Sequence, residues 1–315
     1  MSLSVSIIVP THDRPEELRR AVASILAQTH LPAELIVVND GEQDIPAQLA
    51  EQARAAGVAF RCERRSPASA TASRNLGLSL ARGDVIVLGE DDVTYPPDFL
   101  HRLVGLYEAD PGSPGRIGGI GVRVVEPEQQ RFTRRVWDAL IRLTAHGRFT
   151  PRRWAARYVP LPARLRAQLA PAPFVSAGAM SLRRSAAAHR FEEAFGGYSY
   201  AEDIEYSYRV GRQVALFMAP GLAIHHEPAP TGRPDMRTIG RLYVANLLHT
   251  IRKSADPGVG TWLLVGYNFA SRILLQATVG AVGKRRRQML AMAAGMSGEL
   301  VRRAGAALRT MLCGC

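Results

Sequence analysis

Val5–Gln28 reads VSIIVPTHDRPEELRRAVASILAQ, and the way this stretch divides decides the architecture. Val5 to Pro10, apolar except for Ser6, has the length of a buried strand. Four polar residues follow, Thr11, His12, Asp13 and Arg14. Pro15 then stands near the first turn of a helix whose Leu18, Val22, Ile25 and Leu26 share one face. The alternation repeats: ELIVVND is a second strand, IPAQLAEQARAAG a helix closed by Gly57, and VAFRCER a third strand. ASATASRNLGLSLARG supplies a third helix ending at Gly83, and DVIVL a fourth strand. Strands separated by helices of this length need right-handed crossovers, so the expected fold is α/β, a mostly parallel sheet with helices on both faces. Ligands of such sheets sit at the carboxyl ends of the strands.

The polar residues at those ends are Thr11 to Arg14, then Asn39, Asp40 and Gly41, then Glu90, Asp91 and Asp92 after Gly89. A turn and helix start before PPDFLHRLVGLY accounts for one of the three consecutive carboxylates, not for all. Clustered carboxylates repel, and their pKa values rise unless something positive sits among them. An oxygen-rich cluster suits Mg²⁺ or Mn²⁺, ions that keep coordination positions for water and substrate phosphates. The expectation is a metal that holds a diphosphate at the edge of the sheet. No segment follows GxGxxG, GGIGVR at Gly118–Arg123 included, and no GK[ST] loop exists, which argues against a dinucleotide or a P-loop.

The chain has 315 residues, 47% of them hydrophobic, enough for one large domain or for one domain plus an appendage. Its net charge of +12 is almost wholly arginine, the only lysines being Lys253 and Lys284. Such a surface suits nucleic acid, anionic headgroups or phosphorylated substrates. Three cysteines, Cys62, Cys313 and Cys315, form no CxxC pair, so a reducing, cytosolic setting is expected. The N-terminus has neither the basic flank nor the cleavage site of a secretory signal. From Arg131 to Arg166 arginines interleave with Trp137, Phe149, Trp154 and Tyr158, either a solvated basic excursion or a surface that meets anionic lipid or acceptor. FVSAGAMSLRRS reads as a short strand, GGYSYAEDIEYSYRVGRQ as a loop opening a helix, and VALFMAPGLAIHHEP as strands carrying two histidines. The tail from about Thr238 is helical. Within it Thr261–Gly283 has the roughly 20-residue length of a membrane span. Asn268, Arg272 and Gln276 recur every fourth residue there as one polar stripe, followed by Lys284-Arg285-Arg286-Arg287. That pattern favours an amphipathic helix lying on a membrane or packed on the domain over a span.

Taken in order, SIIVPTHDRPEELRRAVASILAQT, LIVVNDGE, SRNLGLSLARGDVIVLGEDDV, SAGAMSLRRS, FEEAFGGYSYAEDIEYSYRV and the late His225-His226 pair resemble family 2 glycosyltransferases of the GT-A (Rossmann-like) fold. The resemblance covers about residues 4–228. The tail is more weakly similar to the C-terminal helices of bacterial relatives that glycosylate lipid-linked or cell-envelope acceptors. The resemblance implies inverting transfer, of the hexosyltransferase class, from a UDP-, dTDP- or GDP-sugar to a hydroxyl acceptor, with Mg²⁺ or Mn²⁺. It implies a cytoplasmic protein, peripheral on the inner face of the membrane, in cell-envelope, polysaccharide or glycolipid biosynthesis. The corresponding division is a GT-A domain over 1–237, with a nucleotide-binding half to about 125 and an acceptor side beyond, and a helical tail over 238–315.

By the same resemblance Pro10, Thr11 and Arg14 line the nucleotide pocket, Asp40 bonds the base, and Arg74 and Asn75 lie close to the donor. The metal motif departs from the family's Asp-x-Asp, its first acid being replaced by Gly89 or represented by Glu90. Asp92 is the leading ligand, then Asp91, which also belongs with the donor-binding residues. Asp203 matches the base that takes the acceptor's proton, with Glu202 as the fallback and a helix-capping acid as the structural alternative. His226 alternates onto the face of Leu222 and Ile224 and matches a metal-completing histidine; His225 points the other way. A nucleotidyltransferase, a nucleic-acid binder and a pseudoenzyme remain as rival classes. The first normally has a basic triphosphate loop where PTHDRPE stands, the second leaves EDD and AED without purpose, and the third draws on Gly89. No nucleic-acid partner is expected.

Overall fold

The computed structural model describes residues 2–110, 116–126, 159–172, 174–195, 197–229, 234–254, 258–278 and 286–313. The arginine and aromatic stretch from Arg131 to Tyr158 lies outside them, as do Lys284 and Arg285. Two compact units emerge, one from residues 1–127 with 154–232, the other from 128–153 with 233–315.

In the first unit, β1 (Val5–Thr11), α1 (Pro15–Leu26), β2 (Glu34–Asn39), α2 (Gln48–Ala55), β3 (Ala59–Arg64), α3 (Ala70–Leu80) and β4 (Val85–Leu88) follow the expected alternation. Then come β5 (Val93–Thr94), α4 (Phe99–Glu108), β6 (Ile117–Val125), α5 (Ala163–Arg166), β7 (Ala170–Pro171), β8 (Met180–Arg183), α6 (Glu202–Gly211) and β9 (Ala215–His226). Among the described residues the strands make one sheet in the order β3-β2-β1-β4-β8-β6-β9-β5, with β7 beside β9. The sheet is parallel from β3 to β4, where Ile7 stands between Leu35 and Val87. Beyond β4 it is mixed: β8 runs antiparallel to both β4 and β6, and β6 pairs parallel with β9.

Burial on both faces explains the unbroken apolar strands. Val5, Ile7 and Val9 of β1 join Leu35 and Val37 of β2 and Val85 and Val87 of β4 in a core with Leu18, Val22 and Ile25 of α1 and with α4. Ile8, Ile36, Val38, Ile86 and Leu88 face the other way, onto Leu78 of α3 and Tyr206 and Val210 of α6. Ser69 caps α3 by accepting the Ala72 N–H at 3.4 Å. The helix stops at Leu80 rather than at Gly83 because Ala81 turns extended. The next two N–H groups bond instead to Glu34 Oε1 (2.5 Å, from Arg82) and Ser6 Oγ (2.7 Å, from Gly83), tying the turn to β1 and β2. The VALFMAPGLAIHH stretch is one long strand whose pairing with β6 slips between Ala219 and Ala223, around Pro220-Gly221. That slip accommodates a residue that cannot donate to the ladder and lets β9 run on to His226 at the sheet's ligand-facing edge.

The second unit contains α7 (Met236–Ser254), α8 (Val259–Thr278) and α9 (Arg286–Cys313). α7 and α9 touch backbone to backbone: a Cβ on Gly240 would meet the Met292 carbonyl, and one on Gly295 the Arg237 carbonyl. The stripe of α8 foreseen as its polar face is buried. Asn268 accepts a 2.7 Å hydrogen bond from Tyr243 O–H, Arg272 lies 4.4 Å over the Tyr243 ring, and Gln276 Nε2 is 3.3 Å from Met292 Sδ. Among the described residues no helix is long and apolar enough to cross a membrane.

Candidate active site

The chain leaves β4 through Gly89, whose N–H donates to the Ile8 carbonyl at 2.8 Å. A Cβ there would come within 2.8 Å of Tyr95 Oη and 3.2 Å of that carbonyl, so the position has little room for an acid. The acid moves one place on. Carboxylate oxygens of Glu90 and Asp92 and a ring nitrogen of His226 lie within 4.8 Å of one another. β5 sets this up by pairing Val93 with His226 across 133 residues, so that the histidine ending β9 meets the turn after β4. His226 Nε2 is 3.4 Å from Asp92 Oδ2, and its Nδ1 is 4.0 Å from Glu126. His225, its neighbour, is exposed.

Two hard oxygen donors and one imidazole fit Mg²⁺ or Mn²⁺, whose opposing ligands stand about 4.2 Å apart at bond lengths near 2.1 Å. Burial pushes the Asp92 carboxyl up, but His226, the Ala229 N–H at 3.2 Å and Arg14 outweigh it and hold the group below its ordinary value. Glu90 stays raised by its burial in spite of Arg74. Asp91 lies apart from this trio. Its two oxygens accept from Thr11 Oγ1 at 2.8 Å and Arg14 at 3.0 Å, and burial still pushes it up to about 6. Asp91 thus fixes Thr11 and Arg14, at the end of β1, against the turn after β4.

Arg74 joins the metal-fit cluster to the start of α6. Its guanidinium donates to Glu202 at 2.7 Å and to Glu90 at 3.0 Å, and lies 5.6 Å over the Phe191 ring. Burial raises Glu202 to about 8 and raises Asp203 above the ordinary aspartate range. Asp203 Oδ1 accepts the Ile204 N–H at 2.9 Å, with further hydrogen bonds from Ala177 N–H and the Ser176 hydroxyl. Ala201 enters α6 in the left-handed region, at φ 68°, which turns Glu202 and Asp203 inward as the first helical residues.

The remaining candidates occupy the other side. Asp40 Oδ2 accepts from Ser69 N–H at 2.9 Å and Ser73 Oγ at 2.7 Å, and its Oδ1 is 3.0 Å from His12 Nδ1. Pro10 sits beside Val38 in the β1–β2 ladder, one residue before Thr11. Asn75 has its amide spent on the loop before α6: it donates to Phe191 O and Glu193 and accepts from Phe191 N–H at 2.7 Å. It holds that loop against α3, one residue along from Arg74.

Sequence reasoning passed over Gly178. A Cβ there would fall 2.5 Å from Glu90 Oε2 and 2.6 Å from Oε1, so the missing side chain leaves the space that the carboxylate fills. Its neighbours Ser176 and Ala177 support Asp203, so one short turn before β8 serves both acid clusters. Only the SAGA composition hinted at this, since small residues permit close approach.

A mixed α/β sheet with an acid and histidine cluster at the strand ends belongs to the GT-A class, and solved structures agree on the fold. S. aureus TarS 1-349 in complex with UDP-GlcNAc matches with a TM-score of 0.56, covering 91% of this chain and 78% of that one at 13% identity. Mannosyltransferase PcManGT from Pyrobaculum calidifontis, solved with GDP-Man and Mn²⁺, gives 0.54, with coverages of 96% and 87% at 14% identity. The chain belongs to glycosyltransferase family 2: the family model described as "Glycosyl transferase family 2" matches residues 6–191. It is 33% identical over 120 residues to a glucosyl-dolichyl phosphate glucuronosyltransferase of Haloferax volcanii, covering 37% of this chain and 38% of that protein. It is 25% identical over 242 residues to the hyaluronan synthase of Pasteurella multocida, covering 72% of this chain and 25% of the synthase. The chain thus spans well under half the length of these relatives.

Proposed function

We propose that the chain transfers a sugar, with inversion, from a nucleoside diphosphate donor to a hydroxyl of a lipid-linked or polysaccharide acceptor, working at the cytoplasmic face of a membrane. One observation carries the transfer chemistry: a single guanidinium, Arg74, spans from the candidate metal ligand Glu90 to Glu202, the neighbour of Asp203. Leaving-group site and base are therefore within one side chain of each other. Glu90, Asp92 and His226 would hold Mg²⁺ or Mn²⁺, which neutralises the departing diphosphate when bound. Thr11 and Arg14, fixed by Asp91, would present a hydroxyl and a cation beside the donor's phosphates, and Asp40 would bond the nucleobase. Asp203 accepts the acceptor's proton as the oxygen attacks the anomeric carbon from the face opposite the leaving group. Its raised pKa makes it a stronger base than an exposed aspartate.

Donors in solved relatives carry uridine and guanosine, so the test is a thermal-shift panel of UDP-, dTDP- and GDP-sugars with and without Mn²⁺. A donor at a hundredfold its dissociation constant stabilises by about 2.7 kcal/mol. No shift with any donor, metal present, would overturn the proposal.

A further inference from the structure

The second unit contains a helix turned inside out. α8 buries its polar stripe, Asn268, Arg272 and Gln276 being 0%, 6% and 1% exposed, together with Val265 and Phe269. The opposite arc carries Val259, Leu263, Tyr267, Ala270 and Leu274, spaced by three or four residues and so stacked along one side of the helix. Val259 is 77% exposed, Leu263 69%, Tyr267 53% and Leu274 64%. Arg272 is the only charged residue of α8 and points inward, so the outward arc is uncharged over a helix about 30 Å long. Scattered apolar side chains on a surface need no explanation, but a continuous stripe of this length does.

Charge says what covers it. Residues 238–315 hold eleven lysines and arginines against two acids, Asp256 and Glu299. Exposed cations bracket the stripe along the chain, Arg252 and Lys253 at the end of α7, Arg286 and Arg287 at the start of α9. A second copy of this chain would bring the same positive charge to the contact, whereas an anionic bilayer offers hydrocarbon to the stripe and phosphates to its flanks. Trp262 at one edge and Tyr267 on the arc are side chains that settle at headgroup depth. The helix does not cross: it is not apolar enough, and Arg272 is held over the Tyr243 ring.

We propose that the outward stripe of α8 docks this chain on an anionic membrane, the helix lying flat in the boundary between headgroups and acyl chains. This deepens the proposed location at a membrane and rests on it only for its purpose, since docking and donor binding are measured separately.

The test is co-sedimentation of the full chain with sucrose-loaded phosphatidylcholine vesicles, with or without about 30 mol% phosphatidylglycerol, near 0.1 M salt. The parent should pellet with anionic vesicles, Leu263→Glu with Leu274→Glu should weaken this at least tenfold, and Arg286→Gln with Arg287→Gln should flatten its salt dependence. Both double variants should keep the donor and Mn²⁺ thermal shift, which separates lost docking from lost folding or lost donor binding. Equal pelleting of the leucine variant overturns the proposal. So does a parent that ignores vesicles but forms, by sedimentation velocity, a dimer the leucine variant loses. Tryptophan emission gives a second readout without a charge change: the parent should shift to the blue on anionic vesicles and Trp262→Phe should lose most of the shift. A parent that shows no shift counts against docking.

Discussion

Gly178→Ala isolates the geometry of the metal-fit cluster from its chemistry. The new methyl would start 2.3 Å from Glu90 Cδ, whereas two carbons rest at roughly 3.5 Å, so the carboxylate must retreat by about 1.2 Å. Metal bonds tolerate about ±0.2 Å, and Glu90 therefore leaves the trio even though every ligand residue is still present. Because the obstructed group is the end of a flexible side chain, stability should change by under about 1 kcal/mol. Loss of one well-placed ligand should weaken Mn²⁺-dependent binding of the donor nucleotide by tenfold or more, about 1.4 kcal/mol. Calorimetry of the nucleotide that the donor panel selects, with Mn²⁺, beside a urea melt of the same variant, reads both quantities. Binding within twofold of the parent would refute the inference that Glu90 is held in place by the absence of a side chain at 178.

Asp203→Asn should abolish transfer while donor binding stays within twofold, and turnover near the parent's would remove Asp203 from the role of base. The acid limb of the parent's kcat/KM profile should lie above the ordinary aspartate value of 3.8, because burial raises this group; a limb at or below that value would contradict it. Arg74→Met strands Glu90, Glu202 and Asp203 around an empty position, and loss of one partner from so buried a network should cost about 3–5 kcal/mol in urea unfolding. A cost under about 1 kcal/mol would show that the acids take up protons and manage without it. Glu299 is held down to about 2, chiefly by its bond from Arg302 and also by Arg303, against the opposing effect of burial. Its contribution is complete above an unfolded value near 4.5 and is lost as pH falls toward 2. The acid-induced decline in stability between those values should be shallower in Glu299→Gln, and superimposable curves would count against the pairing.

The run from β1 to β4 was legible because each of its elements is encoded by neighbours in sequence. Val5–Pro10 and Leu35–Val38 are largely apolar stretches of strand length, and Pro15, Gly57 and the α1 stripe mark helix limits. The three acids after β4 were visible as an anomaly of charge, but their division of labour was not. Which oxygen faces His226 and which faces Thr11 depends on contacts 134 and 80 residues apart in the chain, between Asp92 and His226 and between Asp91 and Thr11. Gly178 acts through what it lacks, and a residue's missing volume shows only when the neighbour that fills it is known. The polar face of α8 was read correctly as a stripe, yet spacing gives a helix two faces without saying which one looks inward. Tyr243 and Met292, from two other helices, decide that.

The order of strands has a consequence for the chain as it is made. β4 is complete at Leu88, but β8, the partner on its open side, spans Met180–Arg183, so about ninety further residues must be synthesised before that edge is closed. Until then Val85-Ile86-Val87-Leu88 offers unpaired backbone on an apolar strand, the feature that invites pairing with another chain. His226 comes later still, 138 residues after Leu88. A chain stopped near residue 125 would carry the three carboxylates and a sticky edge, without the histidine that gathers two of them. Fragments ending near residue 125 should therefore aggregate rather than bind metal, and cutting the chain there divides a sheet rather than two modules.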